Sequence, residues 1–212
     1  MRAKLYHFVF AFCFSALISG VSAKADSLKL VVLGDSLSAG YQLPPEEAFP
    51  NQLQAALTER GHDVEVVNAG VSGDTSSGGL SRLDWSVGPD VKAVIVELGA
   101  NDMLRGIPPE KTRENIEAIV SRLTERGVAV LVAGMMAQRN LGEDYAAEFD
   151  PIYPEVAAAH GALHYPFFLE GVALDPDLNL ADGMHPNGQG VSVIVANMLP
   201  LVEQLLERAG SF

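Results

Sequence analysis

Cysteine is nearly absent from this chain. The 212 residues include one, Cys13, and it falls in an N-terminal segment that is set apart below. Neither a disulfide framework nor a thiol nucleophile is therefore expected. Positive charge is scarce: 14 Lys and Arg stand against 27 Asp and Glu, a formal net charge of −13. That deficit argues against nucleic acid as a main partner, because phosphate binding needs a basic surface. It also disfavours docking onto anionic lipid. Internal repeats, low-complexity tracts and coiled-coil patterning are lacking, so nothing in the sequence speaks for a structural role. Neither G-x-G-x-x-G nor G-x-x-x-x-G-K-[ST] is present. No other histidine lies near His185 in sequence, so no catalytic zinc, other metal or cofactor is expected. Ser38 stands where G-x-S-x-G would place a glycine after Ser36, so the usual α/β-hydrolase elbow is missing too.

The chain opens with Arg2 and Lys4, then an apolar stretch over residues 5–18, then small residues. Val21-Ser22-Ala23 and Ala23-Lys24-Ala25 are candidate cleavage sites. This layout predicts a secretory signal over residues 1–25, and the apolar stretch is short for a membrane span. An uncleaved N-terminal anchor is the alternative. Cys13 lacks the small-residue run expected before a lipoprotein cysteine. Cleavage after Ala25 removes Arg2, Lys4 and Lys24 and no acid, so the charge of −13 becomes −16. The expected product is exported, periplasmic or secreted, with no stable membrane insertion. Its covalent chemistry would fall to Ser, Thr, Lys or a carboxylate.

Residues 26–212 read as one domain. Hydrophobic residues make up 48% and charged residues 19%, a balance that excludes disorder. Short apolar runs at residues 28–33 (LKLVVL), 64–67, 93–98 (AVIVEL) and 128–133 (VAVLVA) suit strands buried on both faces of a parallel sheet. Residues 162–165 form a weaker fifth candidate. Helical faces lie between them: Phe49, Leu53, Ala56 and Leu57, closed by Gly61; then Ile116, Ile119, Val120 and Leu123, closed by Gly127. Residues 145–160 look helical, with Pro151 and Pro154 imposing a kink or a late start. A long last helix carries Val191, Ile194, Val195, Met198, Leu201 and Leu205, with a bend expected near Pro200. The alternation predicts an α/β fold with a parallel sheet and helices on both faces. Ligands of such sheets sit outside the C-terminal strand ends.

The small and polar residues cluster at those ends. Gly34-Asp35-Ser36-Leu37-Ser38 follows the first strand, and Asn68-Ala69-Gly70-Val71-Ser72-Gly73-Asp74 the second. Gly99-Ala100-Asn101-Asp102 follows the third, and Asp182-Gly183-Met184-His185-Pro186-Asn187 precedes the last helix. A serine needs a base at neutral pH. His62 reads as a solvated loop residue, His160 as a helix end and His164 as part of the weak strand. His185 has Asp182 three residues before it, a spacing that lets an acid hold the imidazole tautomer. Alternatively Asp182 bonds backbone N–H groups of the loop and Asn187 caps the last helix. Gly73 offers a backbone N–H and Asn101 a side-chain amide to a developing oxyanion. Each is also an ordinary turn residue.

GDSLSAGY, VVNAGVSGDTSSGGLSRL, VELGANDMLRG and DGMHPN occur in this order across the sequence. Together they resemble the SGNH, or GDSL, hydrolase superfamily, in its bacterial periplasmic branch of arylesterases and multifunctional thioesterase/protease/lysophospholipases. The resemblance implies a three-layer α/β/α, flavodoxin-like fold with about five parallel strands in the order 2-1-3-4-5. It implies Ser36 as nucleophile, His185 as base and Asp182 as its orienter. The Ser36 N–H, the Gly73 N–H and the Asn101 amide would form the oxyanion hole. Asp35 and Asp102 would bond the turns that carry Ser36 and Asn101. The segment after the fourth strand commonly lines the acyl pocket in such enzymes. Here it includes Met135 and Met136, which serve equally well as core filling. Small ester, thioester and lysolipid substrates follow from the resemblance. A carbohydrate O-acetylesterase on the same scaffold and a non-catalytic periplasmic binding protein are the competing readings.

Overall fold

The computed structural model describes residues 27–210, so the proposed signal segment lies outside the described residues. Along the chain, β1 (Leu28–Gly34) leads into α1 (Ser36–Ala39), a 3₁₀ turn at Pro45–Glu47 and α2 (Phe49–Glu59). Then come β2 (Val64–Gly70), α3 (Ser76–Ser81), α4 (Leu83–Ser86), β3 (Val91–Glu97), α5 (Ala100–Leu104) and α6 (Pro109–Glu125). The remainder is β4 (Ala129–Ala133), a 3₁₀ turn at Arg139–Leu141, α7 (Glu143–Phe149), α8 (Ile152–Ala159), β5 (Leu163–Tyr165) and α9 (Gly188–Ala209).

All five strands are parallel and lie in the order β2-β1-β3-β4-β5, as expected. β1, β3 and β4 sit in the middle, and from Leu30 onwards in β1, as throughout β3 and β4, their Leu, Val, Ile and Ala side chains are buried on both faces. This is why these runs show no polar alternation. Helices α2 and α9 pack on each other against the sheet, and α3, α7 and α8 gather around α6. The three-layer α/β/α arrangement is the one expected from the sequence.

The stripe Ile116, Ile119, Val120 and Leu123 is fully buried on α6, the 3–4 spacing that sets one helical face on a sheet. On α9, Val191, Ile194, Val195, Met198, Val202 and Leu205 do the same. Helix α9 runs unbroken through Pro200. Pro200 is exposed, so the carbonyl that loses an N–H partner to it can be hydrated.

Two segments differ from the sequence reading. Residues 68–70 were expected in a loop, yet they complete β2, with Asn68, Ala69 and Gly70 paired to Val32, Leu33 and Gly34. An edge strand needs backbone partners more than apolar side chains, and polar residues are tolerated there. The single helix expected over 145–160 is two, with Asp150 and Pro151 between α7 and α8. The Asp150 carboxylate accepts the Ala137 N–H at 2.7 Å, which fastens the segment that leaves β4.

The register brings the ends of β1, β2 and β3 level: Gly34 pairs with Gly70 on one side and Glu97 on the other. Gly34 has no room for a side chain, because a Cβ there would run into Ser38 Oγ and the Glu97 carboxyl group. The turn after β1 therefore lies close over the end of β3.

Candidate active site

Ser36 is the first residue of α1, directly after the β1 turn. Asp35 caps this short helix, its Oδ1 accepting the Leu37 N–H at 3.0 Å. Asp35 Oδ2 accepts from Asn101 Nδ2 at 2.9 Å. The residue before Ser36 thus ties the serine turn to α5.

Ser36 Oγ lies 3.0 Å from Nε2 of His185. Nδ1 of the same ring lies 2.7 Å from Asp182 Oδ2. Asp182 uses its other oxygen for the loop, accepting the N–H groups of Met184 at 2.9 Å and His185 at 3.0 Å. Both readings of Asp182 hold at once, one for each carboxylate oxygen. The two backbone N–H groups, then the His185 ring, hold the Asp182 carboxyl down at about 2. An ionised carboxylate only accepts, so Nδ1 carries the ring proton and Nε2 is free to accept from the serine hydroxyl. Asn187, two residues on, caps α9 by accepting from the N–H groups of Gln189 and Gly190.

Gly73 has φ +85°, a conformation that few other residues adopt. Its carbonyl accepts from the Arg105 guanidinium at 2.6 Å, which fixes the peptide plane from the α5 side. Neither the Ser36 N–H nor the Gly73 N–H has an acceptor among the described residues. Asn101 Nδ2 spends one hydrogen on Asp35 and keeps a second. Asp102, buried beside Asn101, accepts from Ser76 N and from the Ser76 and Thr112 hydroxyls. It binds α5 to the start of α3.

Arg82 is a further fixture that the sequence reading overlooked. Its guanidinium donates to the carbonyls of Ala69 at 2.7 Å and Gly34 at 2.8 Å and pairs with Asp74 at 2.6 Å. One side chain therefore clamps the ends of β1 and β2 to the loop that carries Gly73. Nothing in sequence spacing signals this. Tyr41 was also overlooked: its N–H donates to the Ser36 carbonyl at 3.2 Å, and its ring faces the His185 imidazole. Glu97 did leave a signal, as the one acid in the apolar run 93–98.

The remaining histidines have other contacts. His62 is half-buried rather than solvated, with Nε2 3.1 Å from Glu203 of α9. His160 ends α8 and faces Glu117 at 3.8 Å. His164 lies in β5, its basicity pushed down by burial. Met135 is buried in the core, whereas Met136 is exposed.

The family described as GDSL-like Lipase/Acylhydrolase matches residues 32–193. The arylesterase of Vibrio mimicus is 42% identical over 186 residues, which is 86% of this chain and 89% of that protein. Thioesterase 1/protease 1/lysophospholipase L1 of Escherichia coli K12 is 37% identical over 177 residues, 83% of each. Among solved structures, AlinE4, an SGNH-hydrolase family esterase, superposes with a TM-score of 0.72 at 42% identity, covering 86% of this chain and 98% of that one.

Proposed function

The chain belongs to the GDSL-like lipase/acylhydrolase family and is a serine esterase of the arylesterase and thioesterase type; we propose that Ser36 is its nucleophile, His185 the base and Asp182 the group that orients the imidazole. The observation that carries this reading is the continuous contact from Ser36 Oγ to His185 Nε2 at 3.0 Å and from Nδ1 to Asp182 at 2.7 Å.

Ser36 Oγ attacks the carbonyl carbon of an ester or thioester as its proton passes to His185 Nε2. Asp182 stabilises the imidazolium that forms. The carbonyl oxygen becomes an oxyanion, held by the Ser36 N–H, the Gly73 N–H and the free Asn101 amide hydrogen. The tetrahedral species collapses, and His185 gives the proton to the departing alcohol or thiol. Water then repeats the sequence on the acyl-enzyme, releasing the acid and restoring the Ser36 hydroxyl.

The substrates proposed are small aryl esters, acyl thioesters and lysophospholipids. Exposed Val71, Leu104, Met136 and Met184 follow β2, β3 and β4 or belong to the His185 loop. This favours apolar acyl or aryl groups over a sugar acetate. Residues 1–25 are proposed as a secretory signal that exports residues 26–212. A mature N-terminus at Asp26 in the exported protein, read by mass spectrometry, is the expected result.

The test of the site is labelling with a fluorophosphonate followed by peptide mapping. Ser36 should carry the label, and Ser36→Ala should fold, lose the label and lose turnover of p-nitrophenyl esters. Labelling that persists in that variant rejects Ser36. A chain-length series of the same esters separates this reading from a short-pocket acetylesterase. Absence of any ester turnover would favour a binding protein.

A further inference from the structure

Glu97 ends β3 and is fully buried, although the mechanism above assigns it nothing. Its Oε2 accepts the Ser38 hydroxyl at 2.8 Å and the Asp35 N–H at 3.3 Å. Its Oε1 is buried and receives no N–H or hydroxyl donor among the described residues. The Asp35 carboxyl group, buried as well, lies within interaction range of it. No Lys or Arg among the described residues forms an ion pair with either acid; Arg82, which reaches this corner, binds the Gly34 carbonyl and Asp74 instead.

Two acids facing each other in a dry site without a cation cannot both be ionised at tolerable cost. The hydrogen bonds decide which keeps the charge. Asp35 accepts from two N–H donors, Leu37 and Asn101, one on each oxygen, and these favour its carboxylate. Glu97 has donors on one oxygen only. The proton therefore belongs on Glu97, with Asp35 as its acceptor. Other ionisable groups facing the pair are Asp102 of α5, the Tyr153 phenol of α8, which donates to the Leu98 carbonyl, and His185. Only His185 brings positive charge, and it brings it to Asp35. Burial, then the Asp35 charge, pushes Glu97 well above the usual carboxylate range. Burial also raises Asp35, to about 6, against the pull of its two donors.

We propose that Glu97 is a positioning residue for the oxyanion hole, sharing its proton with Asp35 so that Asp35 holds the Asn101 amide while the other Glu97 oxygen anchors the Ser36 turn. The chain of contacts runs from β3 through Glu97 and Asp35 to Asn101, whose second amide hydrogen is the proposed oxyanion donor. This rests on the site reading above, and the fluorophosphonate label on wild-type protein tests that reading separately.

Glu97→Gln keeps a neutral donor and acceptor of the same shape, whereas Glu97→Ala removes both. With p-nitrophenyl butyrate at neutral pH, Glu97→Gln should retain kcat within about threefold of wild type. Glu97→Ala should lose kcat roughly tenfold or more with KM little changed, part of the loss expected when one oxyanion donor is removed outright. On the alkaline side, wild type should lose kcat reversibly as Glu97 ionises, and Glu97→Gln should keep its activity. Wild-type kcat in folded Glu97→Ala overturns the proposal. So does a Glu97→Gln variant as impaired as Glu97→Ala, or one with an unchanged alkaline loss. If Glu97→Ala does not fold, the comparison of the Glu97→Gln and wild-type pH profiles decides alone.

Discussion

The ring of Tyr41 rests against the imidazole of His185, with centroids 4.5 Å apart and planes inclined at 38°. Tyr41 also donates its N–H to the Ser36 carbonyl, so one residue touches both the serine turn and the proposed base. Ser36 and His185 are 149 positions apart in sequence, and Tyr41 restricts the freedom of the loop that brings them together. An aromatic pair contributes about 0.5–1.5 kcal/mol beyond its buried area. Tyr41→Ala should therefore lower kcat/KM by roughly 2–10-fold, and Tyr41→Phe should leave it near wild type. Steady-state kinetics on a p-nitrophenyl ester checks this. An equal loss in both variants would mean that the hydroxyl, not the ring, matters.

In the proposed mechanism Asn101 bears on the transition state more than on the bound substrate. Its amide would meet an oxygen whose negative charge develops only during attack, so its loss should appear in kcat and leave KM nearly unchanged. Asn101→Ala should lower kcat by about 10²–10³-fold. Asn101→Asp should do at least as much damage, because it sets a second carboxylate against Asp35. A variant that raises KM with kcat intact would place Asn101 in ground-state binding and remove it from the oxyanion hole.

Arg82 links stability to catalysis through backbone carbonyls. Its replacement by Met would leave the Ala69 carbonyl and the Asp74 carboxylate without this donor. Partly buried acceptors deprived of a charged partner cost about 2–4 kcal/mol in total, a fall in Tm of roughly 5–15 °C. Turnover should fall as well, since Asp74 adjoins Gly73. Thermal denaturation and kinetics on the same sample separate the two effects. Unchanged Tm would show that the clamp is not stabilising.

The residues explain why some of this was legible in sequence and some was not. The strands at 93–98 and 128–133 are apolar because they are buried on both faces, and that composition survives in one dimension. The polar end of β2 was hidden, because the pairing of Asn68 with Val32 depends on a neighbouring backbone that local sequence does not describe. The contact between Asp182 and His185 was readable because only two residues separate them. Arg82 was not, because the strand ends it clamps are held through the carbonyls of Gly34 and Ala69, whose side chains have no part in the bond. Glu97 leaves a trace as an acid in an apolar run, but the role proposed for it depends on Asp35 facing it, which the run does not show.

Two aspartates should drive stability in opposite directions with pH. Asp35 carries a pKa raised from 3.8 to about 6 by burial. Between those values the folded protein binds the proton more tightly than the unfolded chain does. Its contribution to stability is thus complete below about 3.8 and is lost as pH rises towards 6. Asp182 is lowered from 3.8 to about 2. Its contribution is complete above 3.8 and is lost as pH falls through 2. Partial exposure of Asp182 makes its share the smaller one. Denaturation followed from pH 2 to 8 should show that Asp35→Asn flattens the decline on the upper side and Asp182→Asn the decline on the lower side. The slope, rather than the absolute Tm, is the informative quantity, since either substitution also alters hydrogen bonds. A wild-type slope retained in Asp35→Asn would mean that Asp35 does not titrate in this range and that the upper decline belongs to Glu97, which burial also raises.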